Sequence, residues 1–186
     1  MQYARLTARL TAYIKERVPS VRDSEIADIL ACMDLRRLRR GERFYEPGRP
    51  PEFGLLLTGC VRVYGGKVTF DFVFPCGALV TWIEPELISF ECMTRSEIAV
   101  WPADIRFTWA TLRTEWAQAV LAGIERIARL QQRHVALLYE KGENRYVHAL
   151  RLFPVRARIP LYQLASFIKM TPQSLSRIRA KIARRR

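Results

Sequence analysis

The side chains whose types and spacing suit hydrogen bonding to a partner lie close together near the end of the chain. Gln173, Arg177 and Lys181 follow one another at intervals of four residues, so a helix would present them on one face. Arginine makes bidentate hydrogen bonds with guanine and glutamine with adenine, while hydroxyl groups such as those of Thr171 and Ser176 suit phosphate oxygens. This chemistry predicts contact with double-stranded DNA. The residues expected to make that contact are Thr171, Gln173, Ser174, Ser176, Arg177 and Lys181.

The distribution of charge indicates the same kind of partner. The chain of 186 residues has a net charge of +13, yet all 18 acidic residues lie at or before Glu143. Residues 145–186 contain eleven Lys and Arg and no acid. A block of one sign is typical of contact with a polyanion, either nucleic acid or an anionic membrane surface. A membrane-surface helix fits poorly, because the apolar face of this segment is only Leu175, Ile178 and Ile182 and lacks aromatic residues.

Metal, cofactor and nucleophile chemistry is disfavoured by the rest of the sequence. The two histidines, His134 and His148, lie outside residues 38–105, where a Gly-rich segment is found. Four cysteines show no CxxC spacing: Cys32, Cys60, Cys76 and Cys92. Metal sites need clustered ligands, and a Ser, Cys or Lys nucleophile needs a base partner. We therefore expect no metal, no cofactor and no enzymatic activity, with the cysteines as reduced core residues.

The composition favours a folded protein of the cytoplasm. Hydrophobic residues make up 49% of the chain, which is enough to form a packed core. No run of about 18 apolar residues is present, so a membrane span is not expected. Arg5 and Arg9 interrupt residues 1–15, where a signal peptide would need an apolar core.

Two helices and a tight turn between them would position the DNA-contacting side chains. An apolar helix face runs through residues 161–168, and Lys169-Met170 leaves room only for a tight turn. Thr171 is a good N-cap and Pro172 a good first residue for a second helix over residues 172–185. Its polar side would enter the major groove as a recognition helix. The alternative is an ordinary helical hairpin with a solvated basic face, and the acid-free block favours the helix-turn-helix.

Upstream, short apolar runs are separated by Gly and Pro over about residues 38–105. Residues 70–74 place a phenylalanine at every second position, as in a strand with one aromatic face, and residues 98–101 suggest another strand. Such short strands predict a β-barrel or jelly roll. Helical spacing in residues 3–18, and again after Asp23 as a cap, predicts two N-terminal helices.

A long amphipathic helix is predicted between the β segment and the tail. Residues 113–141 contain no Pro and one Gly, and their apolar positions step by three or four residues. Such a helix would reach about 43 Å, more than a small barrel needs for cover. We therefore expect it to pair with a second copy of itself, and packing along its own barrel is the alternative. The expected dimer interface comprises Trp116, Val120, Ile124, Ile127, Gln131 and Leu138.

Together these elements predict an α+β fold in three parts. Residues 1–112 would form a jelly-roll β-barrel with N-terminal helices, and residues 113–141 the dimerisation helix. Residues 142–186 would form the helix-turn-helix domain, beginning with a helix that reaches Phe153. Gly142 would end the long helix, because glycine readily adopts the left-handed conformation common at that position.

Two stretches of the sequence resemble the CRP/FNR family of transcription regulators. LASFIKMTPQSLSRIRAKI, residues 164–182, is similar to the family's helix-turn-helix. RRLRRGERFYEPGRPPEFGLLLTGCVRVY, residues 36–64, resembles the start of its cyclic-nucleotide-binding β-roll, and the order of parts also matches. The resemblance implies a homodimeric regulator with DNA and RNA polymerase as partners. It places Gln173, Ser174 and Arg177 at base-reading positions, with Gln173 where the family often has Glu.

The β-roll departs from the family members that bind cyclic AMP, which hold the nucleotide with a Gly-Glu pair and a following Arg. Here Ala78 follows Gly77, and no Arg occurs between Arg62 and Arg95. We therefore predict that cyclic AMP does not bind. The alternative function is a regulator whose β-roll binds another small molecule in a cavity. Four aromatic side chains would compete for that cavity: Phe70, Phe72, Phe74 and Trp82.

The helix-turn-helix also departs from the family pattern at two places. Lys169 stands where the turn usually has Gly, and a non-Gly residue at positive φ costs about 1 kcal/mol, so we expect the turn to be adjusted. The wing hairpin that precedes the two helices is shortened to residues 155–159.

Overall fold

The computed structural model describes residues 2–81, 86–102, 125, 128–153 and 159–185. Within these residues it contains six helices and eight strands. The helices are α1 (Gln2–Arg17), α2 (Asp23–Ala31), α3 (128–138), α4 (Gly142–Leu152), α5 (Leu161–Phe167) and α6 (Pro172–Ala183). The strands are β1 (Asp34–Leu38), β2 (Arg43–Tyr45), β3 (Glu52–Thr58), β4 (Val61–Gly65), β5 (Val68–Val73), β6 (Ala78–Val80), β7 (Ser89–Cys92) and β8 (Ser96–Pro102).

Two four-stranded antiparallel sheets form the β part, with strand orders β1-β8-β3-β6 and β2-β7-β4-β5. Gly54 allows β3 to approach its neighbours closely, since a Cβ there would lie 3.0 Å from the Phe44 ring and 3.1 Å from Ile98. The buried core includes apolar residues that are at most 1% exposed: Phe44, Tyr45, Leu56, Val61, Leu79 and Ile98. The predicted α+β class is confirmed, as is the strand expected at residues 98–101.

Helices α1 and α2 cover the outer side of the first sheet, where their apolar residues share a core with β3 and β8. The indole Nε1 of Trp101 donates a hydrogen bond to the Ile29 carbonyl at 2.9 Å, which ties β8 to α2. Both predicted N-terminal helices are therefore present. The expected cap is shifted by one residue, because Arg22 is the N-cap and Asp23 is the first helical residue. The Arg22 N–H donates to the Glu25 carboxylate at 2.9 Å.

The C-terminal helices cover the outer side of the second sheet. Phe72 is 4% exposed, and its ring lies 5.5 Å from Phe153 and 5.7 Å from Phe167 between centroids. Phe74, just after β5, lies 5.8 Å from Phe153, while Phe70 is 42% exposed. The expectation that these phenylalanines compete for the inside of the roll is therefore wrong. They meet the C-terminal helices or solvent, because β5 turns its aromatic side outward.

The boundary between α3 and α4 differs from the predicted one. Helix α3 ends at residue 138, and Gly142 is the first residue of α4 instead of the end of α3. Lys141, with extended backbone at φ −64° and ψ 150°, is the N-cap of α4. The chain thus changes direction over residues 139–141, and α4 ends at Leu152, one residue before the predicted end at Phe153.

The four cysteines are free, but they do not share one environment. Cys60 and Cys92 are buried as predicted, and desolvation raises the pKa of Cys60 to about 12. Cys32 and Cys76 are exposed, so the prediction that all four belong to the core is wrong for these two. Both lie at chain reversals, at the end of α2 and before β6, where the backbone leaves the core. Trp82 and most of the expected wing lie outside the described residues.

Candidate nucleic-acid interface

The turn of the helix-turn-helix is formed by Lys169 and Met170, which follow Ile168, the C-cap of α5. The N–H of Met170 donates to the Ala165 carbonyl at 2.9 Å, and the N–H of Lys169 donates to the Ser166 carbonyl at 3.2 Å. Lys169 has a φ of 53°, which lies in the left-handed region that favours glycine. The expectation that the turn is adjusted to avoid this conformation is therefore wrong. The turn brings α6 across the buried face of α5.

Thr171 caps α6 as predicted. Its Oγ1 accepts a hydrogen bond from the Ser174 N–H at 3.1 Å and lies 2.9 Å from the Ser174 Oγ. Pro172 is the first helical residue, where the N–H that proline lacks would have no helical partner. The helix ends at Ala183, so its start is as expected and its end comes two residues before the predicted position 185. Two hydroxyl groups thus lie at a helix N-terminus, where backbone N–H groups attract anions.

Helix α6 has an apolar inner face and an exposed outer face. Leu175 is fully buried, and Ile178 and Ile182 pack against the same core as α5. Gln173 and Arg177, one turn apart, are exposed on the other side. The exposed residues of this surface are Gln173, Ser176, Arg177, Ala180, Lys181 and Arg184. The arrangement that the sequence predicted, an apolar seam opposite a polar face, is present.

Glu143, in the first turn of α4, faces the flank of α6. Lys181 Nζ lies 2.9 Å from its Oε2, and Arg185 Nη1 lies 2.5 Å from its Oε1. The hydrogen bond from Lys181 is the main reason that the pKa of Glu143 is lowered. Sequence reasoning placed Lys181 beside Arg177 but missed this pairing. The available signal was that Glu143 is the last acidic residue of the chain. A shallow groove beside it is lined by Arg177, Ala180, Lys181, Arg184 and Arg185.

Arg145 of α4 connects the end of α3 to the turn of the helix-turn-helix. Its Nη2 donates to the carbonyls of Leu138 at 2.6 Å and Glu140 at 3.0 Å, and its Nη1 donates to that of Ile168 at 3.1 Å. Carbonyls at helix C-termini lack partners within the helix, so one guanidinium satisfies acceptors from two helix ends. This role of Arg145 could not be predicted, because one arginine on an amphipathic helix forms no sequence pattern.

His134 attaches α3 to α5. Its ring stacks on Phe167 with centroids 4.0 Å apart and 4° between the planes, and its Nε2 lies 2.8 Å from the Phe167 carbonyl oxygen. Because a carbonyl oxygen can only accept a hydrogen bond, the Nε2 of His134 carries the proton. Burial lowers the pKa of His134. Leu137 is buried and Leu138 is half-buried in the same cluster, so this side of α3 packs against the C-terminal helices.

Away from these contacts, α3 is exposed and partly apolar. Leu130 and Val135 are 45% and 53% exposed. An open groove there is lined by Ala128, Gln131, Gln132, Val135 and Ala136. Of the residues predicted at the dimer interface, Gln131 lies in this groove and Leu138 packs on helices of its own chain. Four others lie outside the described residues: Trp116, Val120, Ile124 and Ile127.

In the described part of the chain, no cluster of three or more His, Cys, Asp or Glu side chains is arranged to hold a metal ion. The helices described there are each too short or too polar to cross a membrane. The expected lack of a metal and of a cofactor stays a prediction.

Solved structures similar to this chain include transcriptional regulators of the CRP/FNR family. FixK2 from Bradyrhizobium japonicum matches with a TM-score of 0.69 at 16% identity, covering 82% of this chain and 85% of that one. The c-di-GMP-responsive global regulator CLP of Xanthomonas campestris matches with a TM-score of 0.66 at 17% identity, covering 87% and 92%. A CRP/FNR-family transcriptional regulator from Thermus thermophilus matches with a TM-score of 0.61 at 16% identity, covering 82% and 87%.

No protein-family model matches the chain, and no relative is found among curated proteins. At identities below one fifth, the structural likeness establishes the fold. The resemblance inferred from the two sequence stretches is confirmed at that level. The chain therefore has the fold of the CRP/FNR-family transcription regulators, with a cyclic-nucleotide-binding-like β-roll followed by a C-terminal helix-turn-helix.

Proposed function

We propose that the protein is a transcription regulator that binds double-stranded DNA as a homodimer, with residues 172–183 as the recognition helix in the major groove. The outer face of α6 carries this proposal. There Gln173 and Arg177 are exposed one turn apart on a helix that Leu175 anchors from behind. The residues assigned to DNA contact are Thr171, Gln173, Ser174, Ser176, Arg177 and Lys181.

The charge of the C-terminal block supports DNA as the partner. Residues 145–186 are rich in Lys and Arg and contain no acid, which favours attraction to phosphate along the whole domain. A regulator of this kind acts in the cytoplasm with RNA polymerase as a further partner, and it needs no catalytic activity.

Homodimer formation is supported by the exposed surface of α3. Leu130 and Val135 present apolar area to solvent on a helix whose other side is already packed. A second copy related by a two-fold axis would cover this surface. We assign residues 113–141 to dimerisation, residues 1–112 to the β-roll part and residues 142–186 to DNA binding.

Selection of binding sites from random DNA duplexes tests the proposal directly. A two-fold dimer should enrich a near-palindromic sequence with half-sites about 10 base pairs apart, one turn of the DNA helix. Enrichment of no sequence would contradict the proposal, because a merely basic domain binds all duplexes alike.

The variant Arg177→Ala separates base reading from general attraction. Loss of a bidentate guanine contact should weaken binding to the selected site by about 1–3 kcal/mol and relax the preference at one base pair per half-site. Arg151→Ala is the matched control, since it removes the same charge from an exposed position of α4. If Arg177→Ala loses equal affinity for the selected and a scrambled duplex, Arg177 has no base-reading role.

A further inference from the structure

Glu143 is placed against the two basic side chains on the flank of α6. Its two carboxylate oxygens are divided between Lys181 and Arg185, at 2.9 Å and 2.5 Å. Both cations remain more than half exposed, at 57% and 59% of the side chain, and Glu143 is 30% exposed. All three groups are therefore accessible from solvent, beside the groove that runs along the outer surface of α6.

We propose that the Glu143 carboxylate competes with DNA phosphate for Lys181 and Arg185. By pairing with these two cations it restrains binding to DNA of arbitrary sequence. The inference rests on the proposed DNA-binding function and assigns a new role within it. Lys181 and Arg185 contact phosphate only after leaving the carboxylate. Arg177, the residue assigned to base reading, lies on the same helix and has no ion pair with Glu143 among the described contacts.

Two physical effects give Glu143 this role. First, an exposed ion pair is weak and screened by salt, so a phosphate can displace the carboxylate but must compete with it. Second, Glu143 lies in the first turn of α4, where a negative charge offsets the positive end of the helix dipole. Without that charge, the N-terminus of α4 would itself attract phosphate. Both effects act on the DNA backbone, which is common to all sequences, and neither acts on base readout.

The position in the chain points the same way. Glu143 immediately precedes a segment of 43 residues without a single acidic residue, and it lies in the fold beside the end of that segment. Apolar packing already holds α4 against α6, since Tyr146 and Ala149 of α4 share a core with Leu175 of α6. The carboxylate is therefore not needed to hold the helices together.

The test compares Glu143→Gln with Glu140→Gln over a salt series, using a scrambled duplex and the selected site. Glu140→Gln is the matched control, because it removes the same charge three residues away. Glu140 pairs with His148 at 3.1 Å instead of with α6. For Glu143→Gln we expect affinity for the scrambled duplex to rise about fivefold to tenfold at low salt. The salt slope should steepen by roughly one to two units per subunit. The ratio of specific to nonspecific affinity should fall, and Glu140→Gln should leave the slope unchanged.

A second pair of variants checks the cause. Lys181→Ala together with Arg185→Ala should remove most of the gain when combined with Glu143→Gln, because no cation is left to release and only the N-terminus of α4 still attracts phosphate. Glu143→Ala should reproduce the gain and guards against an effect peculiar to the amide. A thermal melt of each variant shows that it is folded.

The outcomes are distinct from those of the functional proposal. An unchanged slope in Glu143→Gln, or a gain that persists at full size without Lys181 and Arg185, overturns the inference. A lower affinity also overturns it, since the carboxylate would then position the cations for DNA. If the wild-type protein shows no preferred site, the proposed function fails, yet the slopes on the scrambled duplex still decide the role of Glu143.

Discussion

The backbone N–H of Thr69 donates a hydrogen bond to the Oγ of Ser166 over 2.9 Å, although 97 positions separate the two residues in the chain. The Ser166 hydroxyl in turn donates to the Lys67 carbonyl at 3.2 Å. On the other side of Thr69, its hydroxyl accepts from Arg62 Nε at 2.9 Å. One serine of α5 therefore joins the helix-turn-helix to the hairpin of β4 and β5.

Replacing this serine should loosen the connection. Ser166→Ala leaves the N–H of the fully buried Thr69 without its acceptor, so we expect the free energy of unfolding to fall by about 1–2 kcal/mol. Hydrogen exchange at the Thr69 amide should accelerate in the same variant. Ser176→Ala, at an exposed position of α6, should change stability by less than about 0.5 kcal/mol. Unaltered exchange at Thr69 would show that the link does not hold the two parts together.

The proposed dimer can be tested on α3. Val135→Glu puts a charge on the exposed apolar surface and should produce monomers, because two like charges would meet at a two-fold interface. Ile124→Glu and Ile127→Glu should act in the same way if the predicted stripe continues. Sedimentation at micromolar concentration measures the effect.

The control for the dimer is Leu150→Glu. Leu150 is 47% exposed, close to the exposure of Leu130, but it lies on α4. The variant Leu150→Glu should therefore leave the oligomeric state unchanged. A wild-type protein that is already monomeric at micromolar concentration would refute the dimer altogether.

The turn at Lys169 predicts a stabilising substitution. Lys169→Gly removes the Cβ from a residue with a φ of 53°, so we expect the free energy of unfolding to rise by about 1 kcal/mol. Lys169→Ala keeps the Cβ and removes the charge that lies 5.9 Å from the centre of the Phe70 ring. Urea titration of the three proteins separates the two effects. Equal stability of the Gly and Ala variants would mean that the turn is not strained.

His134 predicts a dependence of stability on pH. Its pKa is lowered in the folded protein, mainly by burial, so the unfolded chain binds the proton more readily. Its contribution to stability is therefore present above the unfolded pKa of about 6.5 and is lost as the pH falls below that value. His134→Phe keeps a ring against Phe167 and should show a shallower loss between pH 7 and pH 5.5 in urea titrations.

The comparison with the variant is needed because a second group titrates in this range. Desolvation raises the pKa of Asp71 to about 6, and its effect on stability has the opposite sign. Identical pH profiles for the wild type and His134→Phe would assign the dependence elsewhere.

Cyclic AMP should not bind. Ala78, the first residue of β6, offers no carboxylate to the ribose hydroxyls, and an unpaired phosphate would be costly to bury. Titration calorimetry with micromolar protein should give no binding heat, with a cyclic-AMP-binding regulator as the positive control. A dissociation constant in the micromolar range would reverse this reading of the β-roll.

The helix-turn-helix could be predicted because its signals are local. Thr171 and Pro172 mark a helix start, and Leu175 and Ile178 mark its inner face within the same few residues. Each of these features depends on neighbours within one or two helical turns.

The contacts that position the site could not be predicted from the sequence. The pairing of Glu143 with Lys181 and the carbonyl contacts of Arg145 depend on how α4 crosses the other helices. The direction of Phe72 was equally open, since alternation defines two faces of a strand but not which partner each one meets. Tertiary packing decided all three.

The position of Ser166 against β5 also has a consequence for solubility. Among the described strands of its sheet, β5 is an outermost one, paired on one side with β4, and such a strand offers unpaired backbone groups to other chains. Helix α5 shields it by binding the Thr69 N–H and the Lys67 carbonyl. Any movement that lifts the C-terminal helices away would uncover these groups next to Val68 and Phe70, which are already partly exposed. Rearrangement of the C-terminal helices thus carries an aggregation hazard that grows with the lifetime of the open state.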